Sequence, residues 1–379
     1  MPSTLQAPAA HAILLISAIA YSVPGWFLLW RLRYCAARRN GAASGRTASI
    51  IIPARNEATR LPALLASLER EGAFSRFEVI LADDGSEDGT AALAEAAGCG
   101  VVPSAGRPEG ANGKSWACWT AARAAEGELL LFLDADAWFL PGGLDAILAA
   151  YEGGLMSVQP FHRFERPYEG LSAFFNLMAM AGIGSFTLGA REGRASGCFG
   201  PCVLCDREEY LALGGHGGVA GELVDDVALA KAYAGAGKPV RNFAGRGSVE
   251  FRMYPGGAGE LVEGWTKNMA LASRSSAASA KAYFGVWCAG VATLFASFAF
   301  VPGSLLSLVA SACAYGLYAL QVFSILRRIG SWKIRHGLIF PALLAFFLGV
   351  LGVSAYRTFR AKEVTWKGRR IKVGPGARG

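Results

Sequence analysis

The chain has 379 residues, 53% of them hydrophobic, 17% charged and 11% aromatic, whereas soluble domains carry about 25% charged residues and about 45–50% apolar ones. With a mean hydropathy of +0.32 it is too apolar for an ordinary soluble enzyme, and intrinsic disorder is excluded on the same grounds. The net charge of +8 does not point to nucleic acid, because the basic residues flank apolar runs and accompany no aromatic-lined groove.

Residues 12–30, Ala12 to Trp30, form an apolar stretch about long enough to cross a bilayer as a helix. Arg31, Arg33, Arg38 and Arg39 follow it, the reverse of a signal peptide. Since basic flanks stay cytoplasmic, the stretch predicts an anchor with its N-terminal side outside.

From about 45 to 280 the texture changes to short apolar runs alternating with helical stretches. Ser49–Pro53 (SIIIP), Glu78–Ala82 (EVILA) and Leu129–Leu133 (LLLFL) read as buried parallel strands. Helical patterns near 57–71, 88–97, 114–125 and 141–150 separate or follow them. This alternation predicts an α/β domain with a mostly parallel sheet, whose ligands bind beyond the carboxyl ends of the strands. Polar residues gather at those ends: Arg55-Asn56-Glu57, then Asp83-Asp84-Gly85-Ser86, then Asp134-Ala135-Asp136. Taken singly, Asp84-Gly85-Ser86 also reads as a turn and Asp88 as a helix cap. Together the clusters predict one site. Asp134 and Asp136 offer a divalent cation, Mg²⁺ or Mn²⁺, two oxygen ligands and leave room for phosphates.

Further along, residues 173–188 are apolar but short for a span, which suggests an interfacial helix. Among the eight cysteines, Cys198, Cys202 and Cys205 cluster at a spacing that metal ligands can use. No His or fourth Cys stands nearby, so apolar packing thiols in a reducing compartment are the better reading. Asp225-Asp226 opens an amphipathic helix, where acids serve either as partners of the helix dipole or as a close carboxylate pair. The Gly214-Gly215-His216 loop precedes it.

The C-terminal region, 283–354, predicts two or three membrane helices. Runs 283–301 and 304–326 are split by Pro302-Gly303, and a third runs from Gly337 to Ser354. Arg327, Arg328, Lys333 and Arg335 lie between the second and third runs. The tail 357–379 carries eight basic residues against Glu363 alone. If all three runs crossed, that tail would lie outside, against its charge. A cytoplasmic tail is therefore expected, with one of the three runs re-entrant or interfacial.

The order PARNE, DDGSEDGT, NGKSWACWTAARAAEGELLLFLDADAW resembles the family 2 glycosyltransferases over roughly residues 46–270. The resemblance implies a GT-A fold, the Rossmann-like nucleotide-diphospho-sugar transferase architecture. It also implies inverting, metal-dependent transfer of a hexose, glucose favoured, from a UDP-sugar. By it, Pro53, Ala54, Arg55, Glu57 and Asp84 line the uridine pocket with Asp83 close by. Lys114 lies near the diphosphate, and Asp134 and Asp136 hold the donor and its divalent cation. Asp225-Asp226 matches the acidic pair that carries the base, and Asp226 is the expected base. His216, Trp265 and Lys267 are expected on the acceptor side. The QxxRW motif of processive members is missing: LVEGW, ending at Trp265, has neither the Gln nor the Arg.

Instead, FRMYPGG…LVEGWTKN and VTWKGRRI resemble the 4,4'-diaponeurosporenoate glycosyltransferases, which act on a carotenoid acid. This implies a lipid acceptor met at the cytoplasmic face of the plasma membrane by a multi-pass enzyme. Other lipids (a hopanoid, ceramide or diacylglycerol) are alternative acceptors, and an inactive scaffold or transport subunit is the alternative class. The retained acids Asp84, Asp134, Asp136 and Asp226 speak against inactivity.

Overall fold

The computed structural model describes residues 6–35, 45–195, 197–222, 224–301, 304–356, 363–366 and 369–372. The chain opens with helix α1 (Gln6–Phe27). There follow β1 (Ala48–Ala54), α2 (Leu61–Arg70), α3 (Ala73–Arg76), β2 (Glu78–Asp83), α4 (Thr90–Ala96), β3 (Gly100–Pro103), α5 (Gly113–Ala124) and β4 (Leu129–Leu133). Every residue of β1 and β4 is buried, as their unbroken apolar runs require of strands covered on both faces. β1 lies between β2 and β4, parallel to both, and β3 extends the sheet beyond β2.

The second half adds β5 (Ala137–Phe139), α6 (Gly143–Ala149), β6 (Leu155–Gln159), β7 (Phe161–His162), a 3₁₀ turn at Pro167–Ser172 and α7 (Ala173–Gly182). Then come β8 (Cys202–Asp206), α8 (Arg207–Ala212), α9 (Gly215–Gly218), α10 (Asp225–Gly235), β9 (Val240–Ala244) and β10 (Val249–Phe251). The main sheet has the order β3-β2-β1-β4-β8-β6-β9, and a small sheet has the order β5-β10-β7. β8 runs antiparallel to both its neighbours. One core fills the face of the main sheet under α2 and α6, another the face under α5 and α10. Cys202 packs into the first, Cys198 and Cys205 into the second. These thiols therefore pack on opposite faces and share no metal, as the packing reading anticipates.

Five helices complete the chain: α11 (Ala258–Ser275), α12 (Ala278–Phe298), α13 (Leu305–Leu326), α14 (Ile334–Leu338) and α15 (Phe340–Tyr356). A hairpin of β11 (Glu363–Trp366) and β12 (Arg369–Lys372) follows. Pro8–Phe27, α12 and α13 are long and apolar enough to cross a membrane, whereas α15 has only 17 residues. The first helix thus starts earlier and ends earlier than the run at 12–30, and Pro302-Gly303 lies outside the described residues. Buried polar side chains peg these helices together. Tyr318 donates to Ala18 O at 2.6 Å, and Gln321 joins Trp287 Nε1 to Ser22 O at 2.8 Å each. Hydrogen bonds between helices with apolar side chains turned outward suit a lipid environment.

A third core joins this bundle to the α/β domain through α7 and α11. The apolar stretch at 173–188 does not lie free on a surface. Its helix ends at Gly182, and Phe174 and Phe175 are buried against α11, α12 and α15.

Candidate active site

β1, β2 and β4 run parallel, so the loops that follow them meet at one edge of the sheet. The first two loops are locked together. Asn56 takes the left-handed conformation at φ 53°, which Asn tolerates better than most residues. Its Oδ1 accepts from Glu87 N at 2.8 Å, and its own N–H donates to Ser86 Oγ at 3.1 Å. The two adjacent acids of the second loop part company. Asp83 accepts from Ser86 N and Oγ at 3.1 and 2.5 Å, which closes the turn. Asp84 faces Arg55 and Arg107, at 3.9 and 3.3 Å. Gly113 approaches Asp84 so closely that a Cβ there would collide with the carboxylate. Pro53 and Ala54 form the buried floor beneath.

Glu57 pairs with Arg60 at 3.0 Å, and Arg60 reaches on to Glu260 of α11 at 2.5 Å. This places the first turn of α11 beside the loop that follows β1.

After β4, Asp134 Oδ1 meets Lys114 Nζ at 2.6 Å. Asn112 caps α5 by accepting from Lys114 N at 3.1 Å, and its N–H donates to Ala220 O at 2.6 Å. Burial alone would lower the Lys114 ammonium, yet Asp134, Asp226 and Asp225 raise it above the ordinary lysine range. Burial, then the charge of Asp134, push the Asp136 carboxyl up to about 7 against the pull of Arg60. These groups lie deep in the fold yet stay wetted: the Lys114 side chain keeps 39% of its surface exposed. That combination describes the floor of a cleft.

The helix α10 brings the second acidic pair to the same floor. Asp225 accepts from Ser115 Oγ at 2.5 Å and from Asp226 N at 3.1 Å, so it is held on both oxygens. Asp226 faces Gly200, where a Cβ would collide with its carboxylate. Burial, then Asp225, push Asp226 up to about 8, with Lys114 opposing. Behind the pair, His216 is buried, shares 2.8 Å between Nδ1 and the Tyr210 hydroxyl, and turns its edge to Phe132. Burial holds its imidazole down to about 4, hence neutral.

The donor set suits a hard cation. Asp134 and Asp136 supply oxygens in a place where burial, then the neighbouring Asp134, push the Asp136 carboxyl up despite Arg60 and Lys114, a burden that a cation would relieve. His216, Asp225 and Asp226 also bring ligand atoms within 4.8 Å of one another, but Ser115 and Tyr210 already engage Asp225 and His216.

The structure places the three expected acceptor-side residues in different surroundings. Trp265 is only 3% exposed, stacks on Phe175 at 4.9 Å and donates to Ser172 Oγ at 3.0 Å. It is a packing residue of the junction with the bundle. His216 is buried against Tyr210, with a ring nitrogen within 4.8 Å of the Asp225 and Asp226 carboxylates. Lys267 sits half-buried on the same helix as Trp265. Sequence reasoning missed Arg60, Arg107, Ser115 and Glu260. Of these only Ser115, next to Lys114 in the first turn of α5, stood inside a motif.

Residues 49–205 match the model of Glycosyl transferase family 2. A 4,4'-diaponeurosporenoate glycosyltransferase of Staphylococcus haemolyticus is 35% identical over 372 residues, covering 95% of this chain and 98% of that protein. This chain belongs to glycosyltransferase family 2. A 4,4'-diaponeurosporenoate glycosyltransferase of Staphylococcus aureus strain MRSA252 is 35% identical to it over 339 residues, covering 86% of this chain and 88% of that one. The family 2 fold extends to a mannosyltransferase of Pyrobaculum calidifontis, solved in complex with GDP-Man and Mn²⁺. That structure shares 18% identity at a TM-score of 0.50, covering 94% of this chain and 99% of that one. The protein is thus a glycosyltransferase with a GT-A catalytic domain.

Proposed function

We propose that this glycosyltransferase moves a hexose, glucose favoured, from a UDP-sugar to the carboxyl group of a membrane-borne carotenoid acid, with inversion and with the aid of a divalent cation. One observation carries the reading: the donor-side Lys114–Asp134 pair and the Asp225–Asp226 pair share one cleft floor, and α11 ties that cleft to an apolar bundle. The named activity of the Staphylococcus relatives, which match almost end to end, supports the acceptor.

In this reading Asp84, Arg55 and Glu57 hold the nucleoside, and Lys114 shares its charge between Asp134 and the diphosphate. Asp134 and Asp136 would hold the cation, which offsets the charge of the leaving diphosphate. The acceptor carboxylate forms its bond to the anomeric carbon as the bond to the diphosphate oxygen breaks on the opposite face. Asp226 borders the attacking oxygen and takes a proton when the acceptor brings one. The helices α1, α12 and α13 cross the plasma membrane with the catalytic domain in the cytoplasm, which Arg31, Arg33, Arg327 and Arg328 favour.

The test is transfer in vesicles from radiolabelled UDP-glucose, UDP-galactose and GDP-mannose to a carotenoid acid, with mass spectrometry of the pigment. A glucosyl ester made from UDP-glucose is expected. Transfer to hydroxyl lipids alone, or from GDP-mannose alone, would overturn the acceptor or the donor respectively.

A further inference from the structure

The bundle contacts assign a depth to the short helix α15; the argument rests on α1, α12 and α13 crossing the bilayer. At the catalytic-domain end of α13, Arg328 donates to Leu29 O at 3.0 Å. Deeper lie the Gln321–Trp287 and Tyr318–Ala18 pegs, and at the far end His11 meets Ser297 O at 3.1 Å. On this scale Tyr315 lies about eleven residues above the end of α13, about 16 Å at helical rise. That is roughly half of a hydrocarbon core of about 30 Å.

After α13 the chain turns and climbs back along it. Gly337 packs so tightly on Ala319 O that a Cβ would collide. The Tyr315 hydroxyl donates to Leu338 O, and Phe340 stacks on Tyr318 with centroids 6.0 Å apart and planes at 14°. The turn at 338–340 therefore sits at mid-depth. From there α15 leads back toward the catalytic domain: Phe347 meets Phe175 of α7 at 4.9 Å, and Ser354 Oγ donates to Thr266 O of α11 at 2.8 Å. The same α11 carries Glu260 to Arg60 beside the donor loops. The outer side of the pair is apolar and uncovered, with Ile334, Leu338 and Ile339 at 45%, 52% and 50% exposed. Exposed Lys333 and Arg335 flank its entry.

We infer that α14 and α15 form a re-entrant hairpin seated in the acyl-chain layer of the cytoplasmic leaflet, entering beside Lys333 and Arg335 and leaving at Tyr356 on the same side. Its partner is the lipid itself: uncovered apolar side chains continue the lipid-facing surface of the spans, and the basic pair at the entry complements anionic headgroups. A helix of 17 residues reaches only about 26 Å, short of a full crossing. Because α15 holds α11, and α11 holds Arg60, the hairpin sets the height of the active-site mouth above the leaflet.

Cysteines introduced one at a time at Leu338, Tyr356 and Leu305 test this in the full-length protein, in a Cys288→Ala, Cys313→Ala background whose six remaining cysteines are buried, using inside-out and right-side-out vesicles with the parent background as the labelling blank. A membrane-impermeant maleimide should label Tyr356→Cys from the cytoplasmic side only and Leu338→Cys from neither side. A nitroxide on Leu338→Cys should be relaxed by oxygen far more than by a water-soluble nickel chelate. Ile339→Cys serves the same purpose should Leu338→Cys fail to accumulate. Labelling of Tyr356→Cys from the outer face would mean that α15 crosses, and ready labelling of Leu338→Cys would place the hairpin on the surface; either overturns the inference. Leu305→Cys should react from the outside only. Its labelling from the inside would remove the spanning helices on which the depth scale rests, and these readouts stand whichever sugar or acceptor the enzyme uses.

Discussion

Replacing Asp226 by Asn keeps the side-chain shape and removes the charge. With the carboxyl pushed up to about 8, roughly a tenth of it is ionised at pH 7 and roughly a hundredth at pH 6. An alcohol acceptor needs its proton taken during attack, so its rate in the parent enzyme should climb about tenfold per pH unit to about 8 and then level. The Asn variant should lose about 10²–10⁴-fold on such an acceptor. A carotenoid acid behaves differently, because a carboxyl with a pKa near about 4 arrives ionised and asks for no base. For that acceptor the loss should stay below about tenfold, since no proton moves. The gap should narrow further above pH 8, where ionised Asp226 repels an anionic acceptor and Asn does not.

The assay is a pH–rate profile of both proteins in vesicles, with a long-chain alcohol and a carotenoid acid as parallel acceptors. A thermal melt accompanies it. A carboxyl raised above its ordinary value binds more protons folded than unfolded, so stability falls as pH rises from about 4 to about 8. The Asn variant should therefore melt higher than the parent at pH 8 and converge with it near pH 4. Equal, pH-independent losses on both acceptors would refute proton transfer and leave Asp226 as a positioning residue.

Five further outcomes are expected. Because Asp136 must lose the proton it holds up to about 7, Mn²⁺ affinity measured by calorimetry should rise by up to about tenfold per pH unit below 7 and then level. Asp136→Ala should abolish turnover and metal-dependent UDP binding while leaving the protein folded in the membrane. Gly200→Ala should cut kcat with little change in donor KM, since the new Cβ runs first into the Asp226 carboxylate. Trp265→Ala should lower stability by about 3–5 kcal/mol, as large aromatic truncations in cores do, whereas Trp265→Phe should leave acceptor KM unchanged in a steady-state assay. Topology reporters fused after Arg39 and after Gly379 should both report the cytoplasm; an external signal at Gly379 would contradict the proposed orientation.

The strands at the heart of the domain were legible because SIIIP, EVILA and LLLFL are unbroken apolar runs, which only a doubly covered strand or a buried helix tolerates. β8 and β9 were not. CVLCD is short and ends in an acid, and VRNFA alternates buried with half-buried residues, so neither carries the parallel-strand signature. The site clusters were legible for a topological reason: parallel strands deliver the loops after them to one edge, whatever their separation in the chain. Their partners were hidden for the converse reason. Arg60 meets Glu260 across 200 residues and Ser115 meets Asp225 across 110, and no local pattern records such pairs. Composition likewise left the crossing of α15 open, and the contacts of Leu338 with Tyr315 and of Phe340 with Tyr318 are what carry the inference that it does not cross.

The acidic pairs show how much further local geometry reaches than residue type. Asp83 and Asp84 are adjacent at a strand end, where successive side chains take opposite directions. One of them must turn back into the fold, and Asp83 does so onto Ser86, leaving Asp84 to Arg55 and Arg107. Asp225 and Asp226 are adjacent at a helix start, about 100° apart on its circumference. Ser115 and the backbone hold Asp225, and the open direction falls to Asp226. In each pair the first acid builds the turn and the second faces the cleft. The raised carboxyl of Asp226 comes first from burial on that floor and then from the acid beside it.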